Sequence, residues 1–290
     1  MGRAIFVGLC TLDVIQLVSR PPGGNEKVVA LRQTVAAGGP ATNAAVTCAH
    51  LGGDATLVTA VGRHPLAAGI RADLDGCGVR VRDLTPERAA SPATSTILVT
   101  ADSGDRSVVS TNAIGLHVVP PDDCDWAGVT ALQVDGHHPE VALAALRAAR
   151  AAGIPTIMDG GSWKDGTARL LPLIDVIACS ADFRPPGGVP IETALRDVPW
   201  VAITAGAGPI RWWGPGGRRG EVPVPRVDVV DTLGAGDVFH GALTHGIAVD
   251  GLGDFPGLLA RAARVAARAC ASFGTRSWMH HTDTWMTGAV

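Results

Sequence analysis

The 290-residue sequence contains no tyrosine, and aromatic residues make up only 4% of it. It has no G-x-x-x-x-G-K-[ST] segment, the phosphate-binding loop of many ATPases, and no G-x-G-x-x-G after its first apolar segment. These absences exclude the P-loop route to ATP and argue against a dinucleotide-binding Rossmann domain. A phosphate site in this chain would have to be built from other backbone turns.

Cysteine pairs, strong net charge and long apolar runs are also missing. The six cysteines include no C-x-x-C pair, which argues against a zinc site or a disulfide framework and favours a reducing cytosol. The net charge of -3 gives no general reason to expect binding to nucleic acid or a membrane. The apolar N-terminal run stops at Asp13, too early for a signal peptide or a membrane span. We therefore expect a cytoplasmic protein.

The pattern of apolar residues predicts an α/β protein. Short apolar segments at 131–134, 154–158, 176–179 and 201–204 are separated by helical stretches such as 141–152. Such alternation predicts a three-layer α/β/α fold, in which right-handed crossovers join the strands of a mostly parallel sheet. Two hairpins, about 12–35 and 94–111, do not fit the alternation. They are predicted to form a small separate sheet, a lid over the pocket mouth, within one domain that spans residues 1–290.

The segment 227–243, VDVVDTLGAGDVFHGAL, has the features of an anion site. Val227 and Val229 alternate with polar residues and predict a strand ending at Asp231. The apolar residues after Asp237 recur at helical spacing. Between them, a glycine turn allows a ligand close to the backbone, and the start of the helix leaves unpaired N–H groups.

Asp237 is unexpected in such a site, because its carboxylate would repel a bound phosphate. It makes sense as a general base that takes a proton from a hydroxyl group. The amides of Gly234, Ala235 and Gly236 would then hold the charge on a transferring phosphoryl group. The alternative is that Asp237 only caps the helix beside a structural glycine turn.

Two further polar residues are candidates for binding a polyol. Asn43 closes the segment GGPATN, before a predicted helix, and its amide can both donate and accept hydrogen bonds. Asp13 follows a buried strand, at the position where open α/β sheets bind ligands, and can accept two hydroxyl protons. The alternative for the first segment is a glycine turn followed by a polar helical residue.

Together these segments resemble a known family. The sequence DTLGAGD at 231–237, continuing to GAL at 241–243, resembles the C-terminal signature of the ribokinase (phosphofructokinase B) sugar kinases. The sequence GGPATN, with Gly52 and Gly62 after it, resembles the N-terminal signature. The resemblance covers nearly the whole chain. Residues 7–18 and 229–237 look most like ketohexokinase, and 38–40 and 226–243 also look like bacterial sulfofructose kinases.

The resemblance implies a ribokinase-like fold, an ATP-dependent sugar kinase, and a role for several residues. Asp237 matches the catalytic base, and the amides of Gly234, Ala235 and Gly236 match the anion hole. The positions that match sugar contacts are Asp13, Gly39, Asn43 and the lid residue Arg106. The positions that match nucleotide contacts are Ser180, then Thr204, Gly206 and Gly208 in place of a T-x-G-x-x-G loop, and Ala266, Cys270 and Gly274 around a helix that walls the adenine.

The resemblance also implies Mg²⁺, and K⁺ is a further candidate because Asp231 matches a position that helps to bind a monovalent cation in ribokinase. The family's N-x-x-E, which helps to hold magnesium and phosphate, is replaced here by CSADF at 179–183. Ser180 would replace the Asn, and Asp182 would partly replace the Glu by holding Mg²⁺ through water. The glycine loop after Thr204 is one residue short. Pro40 stands where ketohexokinase has an Asn contact.

These observations predict transfer of the γ-phosphoryl group of ATP to a hydroxymethyl group of a ketose- or pentose-like sugar. One alternative is a nucleoside kinase of the same family, although few aromatic residues are available to wall a base. The other is a sugar-binding regulatory protein with little turnover. The expected partners are small molecules, not nucleic acid or a membrane. By analogy with the family, a homodimer through the lid is also considered.

Overall fold

A nine-stranded, mostly parallel sheet is found within residues 2–122 and 124–280, which a computed structural model describes. Its strands are β1 (Arg3–Val7), β4 (Asp54–Thr59), β5 (Arg80–Asp83), β8 (Val129–Val134), β9 (Thr156–Gly160), β10 (Val176–Ser180), β11 (Trp200–Ala205), β12 (Gly208–Gly214) and β13 (Arg218–Val222). The order across the sheet is β13-β12-β11-β10-β9-β8-β1-β4-β5. Strands β11 to β5 pair in parallel, and β12 and β13 extend one edge in antiparallel fashion.

Helices cover both faces of this sheet, which confirms the predicted three-layer arrangement. They are α1 (Pro40–His50), α2 (Pro65–Gly76), α3 (Pro139–Ala151), α4 (Thr167–Leu170), α5 (Ile191–Ala194), α6 (Ala235–Asp250) and α7 (Phe255–Ala269). One apolar core contains the buried residues of α1, α6 and α7, and a second contains those of α3. Among the described residues, no helix combines the length and apolar character needed to cross a membrane.

Helices α1 and α6 approach closely because glycine stands where they meet. A Cβ atom on Gly241 would lie 2.3 Å from the carbonyl oxygen of Ala44, far inside van der Waals contact. Any larger residue at position 241 would therefore push the two helices apart. On α1 this close contact involves the residue next to Asn43, and on α6 it lies one turn after Asp237, so it sets the distance between these two side chains.

The second sheet, predicted as a lid, is present with four strands. They are β2 (Thr11–Val18), β3 (Arg32–Gly38), β6 (Ala93–Thr100) and β7 (Arg106–Ser110), in the order β3-β2-β6-β7. Strands β2 and β6 pair in parallel and so join the two predicted hairpins into one sheet. A small apolar cluster of Ile15, Ile97 and Val99 with Phe273 attaches this sheet to the segment after α7.

The predicted strand ending at Asp231 is wrong. Residues 223–229 lie in no strand, and Val229 is 52% exposed. Alternating valines are compatible with any extended backbone, but a strand also needs a neighbouring strand for its hydrogen bonds. Here the N–H groups of Val230 and Asp231 donate instead to the carbonyl of Cys270, at 2.8 and 3.2 Å. The segment is therefore an extended connection from β13 to α6, held against the end of α7.

Candidate active site

The glycine turn at residues 234–236, at the start of α6, has the backbone geometry of an anion site and is called the anion turn below. Gly234 has a left-handed conformation (φ 71°) that favours glycine, and it is the N-cap of α6. The first turn of a helix leaves backbone N–H groups without intrahelical partners and carries the positive end of the helix dipole. A Cβ atom on Gly236 would meet no other heavy atom within 4 Å, so this turn borders open space. An anion can therefore approach the amides of Gly236 and Asp237.

Asp237 lies in this first turn and contacts the predicted sugar residue Asn43. The Asn43 Nδ2 atom donates a 2.8 Å hydrogen bond to Asp237 Oδ2. The other end of the amide accepts a 3.1 Å hydrogen bond from Arg276 Nη1. Because arginine only donates and a carboxylate only accepts, these two neighbours fix the orientation of the Asn43 amide. The structure thus brings the predicted base and a predicted sugar contact together.

Arg276 belongs to a chain of interactions that was not predicted. Its Nη2 donates to the carbonyl of Ala37 at 2.6 Å and to Asp73 Oδ2 at 3.0 Å. Asp73 also accepts the N–H of Ala37 at 2.9 Å. This chain connects α2, the end of β3 and the segment after α7 to the Asn43–Asp237 pair. No sequence motif around Arg276 indicates such contacts.

The surroundings of Asp237 make it a weaker acid than usual. Desolvation is the largest cause, followed by the negative charge of Asp159, and together they raise its pKa to about 7. The hydrogen bond from Asn43 and the nearby His240 act in the opposite direction. A carboxylate with a pKa near neutrality is suited to take up a proton during a reaction.

Asp13 is a buried carboxylate on the lid strand β2. It is 6% exposed and accepts a 2.6 Å hydrogen bond from Thr11 Oγ1. Burial raises its pKa, while hydrogen bonds from Thr11 and Ser95 lower it. A Cβ atom on Gly38 would lie 1.8 Å from Asp13 Oδ2, so only glycine leaves room for this carboxylate.

Gly39, the predicted sugar contact between Gly38 and α1, is the N-cap of that helix. It has φ 98°, and a Cβ atom there would lie 2.4 Å from the carbonyl oxygen of Leu9. Both facts require glycine at this position. Gly39 therefore brings the start of α1 against the loop after β1, and so places Asn43 in the site.

Two functional candidates near Asp237 were missed at the sequence level. Asp159 ends up 4% exposed near the end of β9, and its Oδ2 lies 3.4 Å from Nδ1 of the buried His240. The rule that selected Asp13, a carboxylate at the carboxyl end of a strand, would also have selected Asp159. Its partner lies 81 positions away in sequence, so the pair itself is visible only in the fold.

The predicted nucleotide residues at the ends of β10 and β11 are adjacent. The N–H of Ala181, next to Ser180, donates to the carbonyl of Thr204 at 2.8 Å. The shortened glycine loop is a tight turn in which Ala205 pairs with Gly208, and Gly206 adopts φ 57°. The missing residue thus converts the expected loop into a two-residue hairpin turn.

The expected adenine wall is only partly helical. Ala266 lies on α7, but this helix ends at Ala269, so Cys270 is its C-cap and Gly274 lies in the following turn with φ 82°. The three residues predicted to wall the adenine therefore lie in the last helical turn and in the connection after it.

Asp231 joins the segment after α7 to the anion turn. Its two carboxylate oxygens accept the N–H groups of Leu233 at 2.8 Å and Gly274 at 2.9 Å, and the residue is 2% exposed. Each oxygen is thus already used in holding the backbone, and this donor set gives no positive sign of a cation site. The role of Asp231 with a monovalent cation stays a prediction.

Arg106 lies at the start of the lid strand β7, and its side chain contacts Thr232, just before the glycine turn, instead of the predicted sugar residues. Its Nη1 donates to Thr232 Oγ1 at 3.0 Å, and the residue is exposed. Gly104 lies beside it, and a Cβ atom there would be 3.3 Å from the carbonyl oxygen of Val230. The tip of the lid hairpin therefore contacts the segment that leads into the anion turn.

Asp182 and its neighbour Phe183 have opposite environments. The Asp182 side chain is 89% exposed and forms a 3.1 Å ion pair with Arg184, whereas Phe183 is 1% exposed and packs on Trp163. Within the described residues, no group of three or more His, Cys, Asp or Glu could hold a metal ion. This donor set fits Mg²⁺ only as an ion held mainly by water and nucleotide phosphates, which is common for magnesium.

The fold and the glycine turn with its carboxylate define a class of phosphotransferase, and comparison with known proteins gives its family. The model for "pfkB family carbohydrate kinase" matches residues 1–282, so the chain belongs to that family. A mouse ribokinase is 25% identical over 298 residues, covering 95% of this chain and 91% of its own. A crystal structure of a candidate ribokinase from Agrobacterium tumefaciens is 26% identical, with a TM-score of 0.80 over 99% of both chains.

A third similar protein shows the fold with ligands. The Arabidopsis thaliana ribokinase, whose structure is described as complexed with ribose and ATP, has a TM-score of 0.73 and 19% identity. The match covers 97% of this chain and 99% of the ribokinase. The membership in the family and these neighbours confirm the expected fold and an ATP-dependent carbohydrate kinase.

Proposed function

We propose that this kinase transfers the γ-phosphoryl group of ATP to a hydroxymethyl group of a ketose- or pentose-like sugar. The observation that carries the proposal is the 2.8 Å contact between Asn43 and Asp237 at an open helix N-terminus. An amide able to bind a hydroxyl, a carboxylate able to act as a base and the N–H groups of a helix start lie close together there, which supports the proposal. The relative described as a ribokinase, from mouse, supports a pentose-like acceptor.

In this proposal the acceptor sugar lies between the lid and α1. Asp13 and Asn43 bind its hydroxyl groups, since a carboxylate accepts and an amide both accepts and donates. Gly39 provides backbone in close reach. Arg106, at the lid tip, contacts Thr232 beside the anion turn. It is therefore assigned to the part of the sugar farthest from Asp13, or to the phosphoryl group that the sugar receives.

Asp237 is the proposed general base. It accepts the proton of the attacking hydroxyl, and the free amides of the glycine turn stabilise the charge on the transferring group. Of the three predicted donors, Gly234, Ala235 and Gly236, the N–H of Ala235 already donates to the carbonyl of Thr232 at 3.3 Å, so the proposal uses the other two together with the N–H of Asp237. Phosphoryl transfer depends mainly on positioning and electrostatics, so the fixed orientation of Asn43 contributes directly. The lid excludes water, which limits hydrolysis of ATP.

The nucleotide is proposed to bind along the ends of β10 and β11 and the end of α7. Ser180, Thr204, Gly206 and Gly208 would contact its phosphates and ribose, and Ala266, Cys270 and Gly274 would line the adenine. Asp182 is the side chain proposed to hold Mg²⁺ through water, and the bound ion would supply positive charge to the nucleotide phosphates. For K⁺, Asp231 is the proposed contact.

A coupled ADP-release assay over a panel of pentoses, ketoses and nucleosides tests this proposal. We expect ATP turnover that depends on a free sugar and exceeds the turnover without acceptor by orders of magnitude. A nucleoside as the preferred acceptor would instead show the nucleoside kinase. Sugar binding by calorimetry without ADP release would show the regulatory protein.

We also propose that the lid is the surface of a homodimer. Residues that pair across the four strands form rows, and the side chains of neighbouring rows point to opposite faces of the lid sheet. Asp13 lies in the row with Ala36 and Ser95, while Val35 and Val109 lie in the neighbouring row and are 49% and 76% exposed. A second copy could cover these valines. Light scattering of the wild type should give twice the mass of one chain. The Val109→Lys variant should have the mass of a single chain. A monomeric wild type would contradict the dimer.

A further inference from the structure

His240 occupies an unusual position in the first turns of α6. It is 5% exposed and lies three residues after Asp237. Its Nδ1 atom is 2.7 Å from the carbonyl oxygen of Gly236, and its Nε2 atom is 2.9 Å from the carbonyl oxygen of Ala178 on β10. The ring therefore bridges the anion turn and the central sheet.

Both ring nitrogens face oxygens that can only accept. A neutral imidazole has one N–H and one bare nitrogen, so in either tautomer one of these contacts would set a lone pair against a carbonyl oxygen. Only the imidazolium ion donates to both. The carboxylate of Asp159, 3.4 Å from Nδ1, supplies the opposite charge that a buried cation requires.

We propose that two carbonyl contacts and the Asp159 carboxylate hold His240 as an imidazolium ion in the folded protein, and that it acts as a positioning residue for phosphoryl transfer. It holds the carbonyl of Gly236, and with it the anion turn, against β10. Its charge also offsets that of Asp159, so that Asp237 can ionise near neutral pH. The second part rests on the proposed role of Asp237 as base.

The charges around Asp237 show why such a cation is needed. Asp159 from β9 and Asp13 from the lid are negative and raise the pKa of Asp237, whereas the Asn43 amide from α1 and His240 lower it. Strand β10 adds only a backbone carbonyl and the Cys179 thiol, whose pKa burial raises to about 12, so this thiol is neutral. His240 is the positive group among these. The segment after α7 adds a second cation, Arg276, which bonds the far end of the Asn43 amide and not Asp237 itself.

Two substitutions and their combination separate the charge effect from simple damage. His240→Asn keeps a donor but removes the charge, so the acidic limb of the kcat–pH profile should move up by roughly 1–3 units. Asp159→Asn should move it down. The double variant should return it close to the wild-type position, because both charges are then absent. If the acidic limb of the kcat–pH profile is unchanged in all three folded variants, the charge of His240 does not affect the ionisation of Asp237, and this part of the proposal is overturned.

The protonation state can be measured without turnover. In wild-type protein labelled with ¹⁵N-histidine, the His240 signals are those missing from His240→Asn. At pH 7.5 both ring nitrogens should show the shifts of protonated nitrogen. One protonated and one bare nitrogen would refute the proposal, even if the kinase assay behaves as expected. If Asp237→Asn keeps full activity while His240 is doubly protonated, the base assignment fails but the buried cation stands.

Discussion

Asn43 Nδ2 donates a 2.8 Å hydrogen bond to Asp237 Oδ2 and so joins the first turns of α1 and α6 across 194 positions of sequence. The geometry of this contact depends on two further residues. Gly241 lets the two helices approach, and Arg276 orients the amide from its other side. A single amide thus connects the sugar side of the site to the candidate base.

The first prediction concerns Arg276. Arg276→Met should lower kcat/KM for the sugar by roughly 5- to 150-fold, because losing a hydrogen bond to a buried partner costs about 1–3 kcal/mol. The KM for ATP should change little. Arg276→Lys is the matched control, since it keeps the charge and should recover part of the loss. If a folded Arg276→Met variant has the same kcat/KM for the sugar as the wild type, then the hydrogen bond from Arg276 is not needed to orient Asn43.

The second prediction concerns Asp13. Asp13→Ala removes hydrogen bonds between a charged group and sugar hydroxyls. At about 1.5–3 kcal/mol for each bond, the sugar KM should rise by roughly 10- to 100-fold for every bond lost. The control is Asp75→Ala, which removes an exposed carboxylate from α2. Steady-state kinetics with both substrates varied provide the measurement. A parallel rise in the KM for ATP would make Asp13 a structural residue.

The parts of the molecule that local pattern determines could be predicted. Alternating strands and helices predicted the parallel sheet, and the apolar spacing after Asp237 predicted a helix there, which is α6. Anion binding at its first turn stays a prediction. Partners set by the tertiary fold could not: Arg276 meets Asn43, and His240 meets Asp159, only after distant segments pack. The strand expected up to Asp231 failed for the same reason, because the valines there have no neighbouring strand.

The third prediction concerns magnesium. With Asp182 exposed and paired with Arg184, free metal should bind weakly, and activity should continue to rise with Mg²⁺ well above the ATP concentration. A Mg²⁺ titration at fixed ATP measures this. Saturation at stoichiometric Mg·ATP would mean that another side chain holds the ion.

A carboxylate at position 183 should not relieve that requirement. Phe183 is buried, so Phe183→Glu should cost several kcal/mol of folding free energy. Ala181→Glu, at an exposed neighbouring position, is the matched control and should fold normally. Thermal unfolding distinguishes them; a stable Phe183→Glu variant with a lower Mg²⁺ requirement would contradict the structure.

The fourth prediction links Asp237 to stability. Its pKa rises from 3.8 to about 7 on folding, so the folded state holds a proton that the unfolded state has lost between these values. Stability should therefore fall as pH rises from about 4 to about 7. Asp237→Asn removes this cost and should stabilise the protein at pH 8 by about 1–3 kcal/mol, with little gain at pH 4. Denaturant unfolding at both pH values decides; an equal effect at both would exclude a titrating Asp237.

The most direct test of the account is the turnover number of Asp237→Asn with the preferred sugar. Asparagine keeps the shape and can still accept from Asn43, but it cannot take up the hydroxyl proton. We predict that kcat falls by roughly 10²–10⁴-fold while the sugar KM changes little. A variant that folds and turns over at the wild-type rate would contradict the assignment of Asp237 as the base.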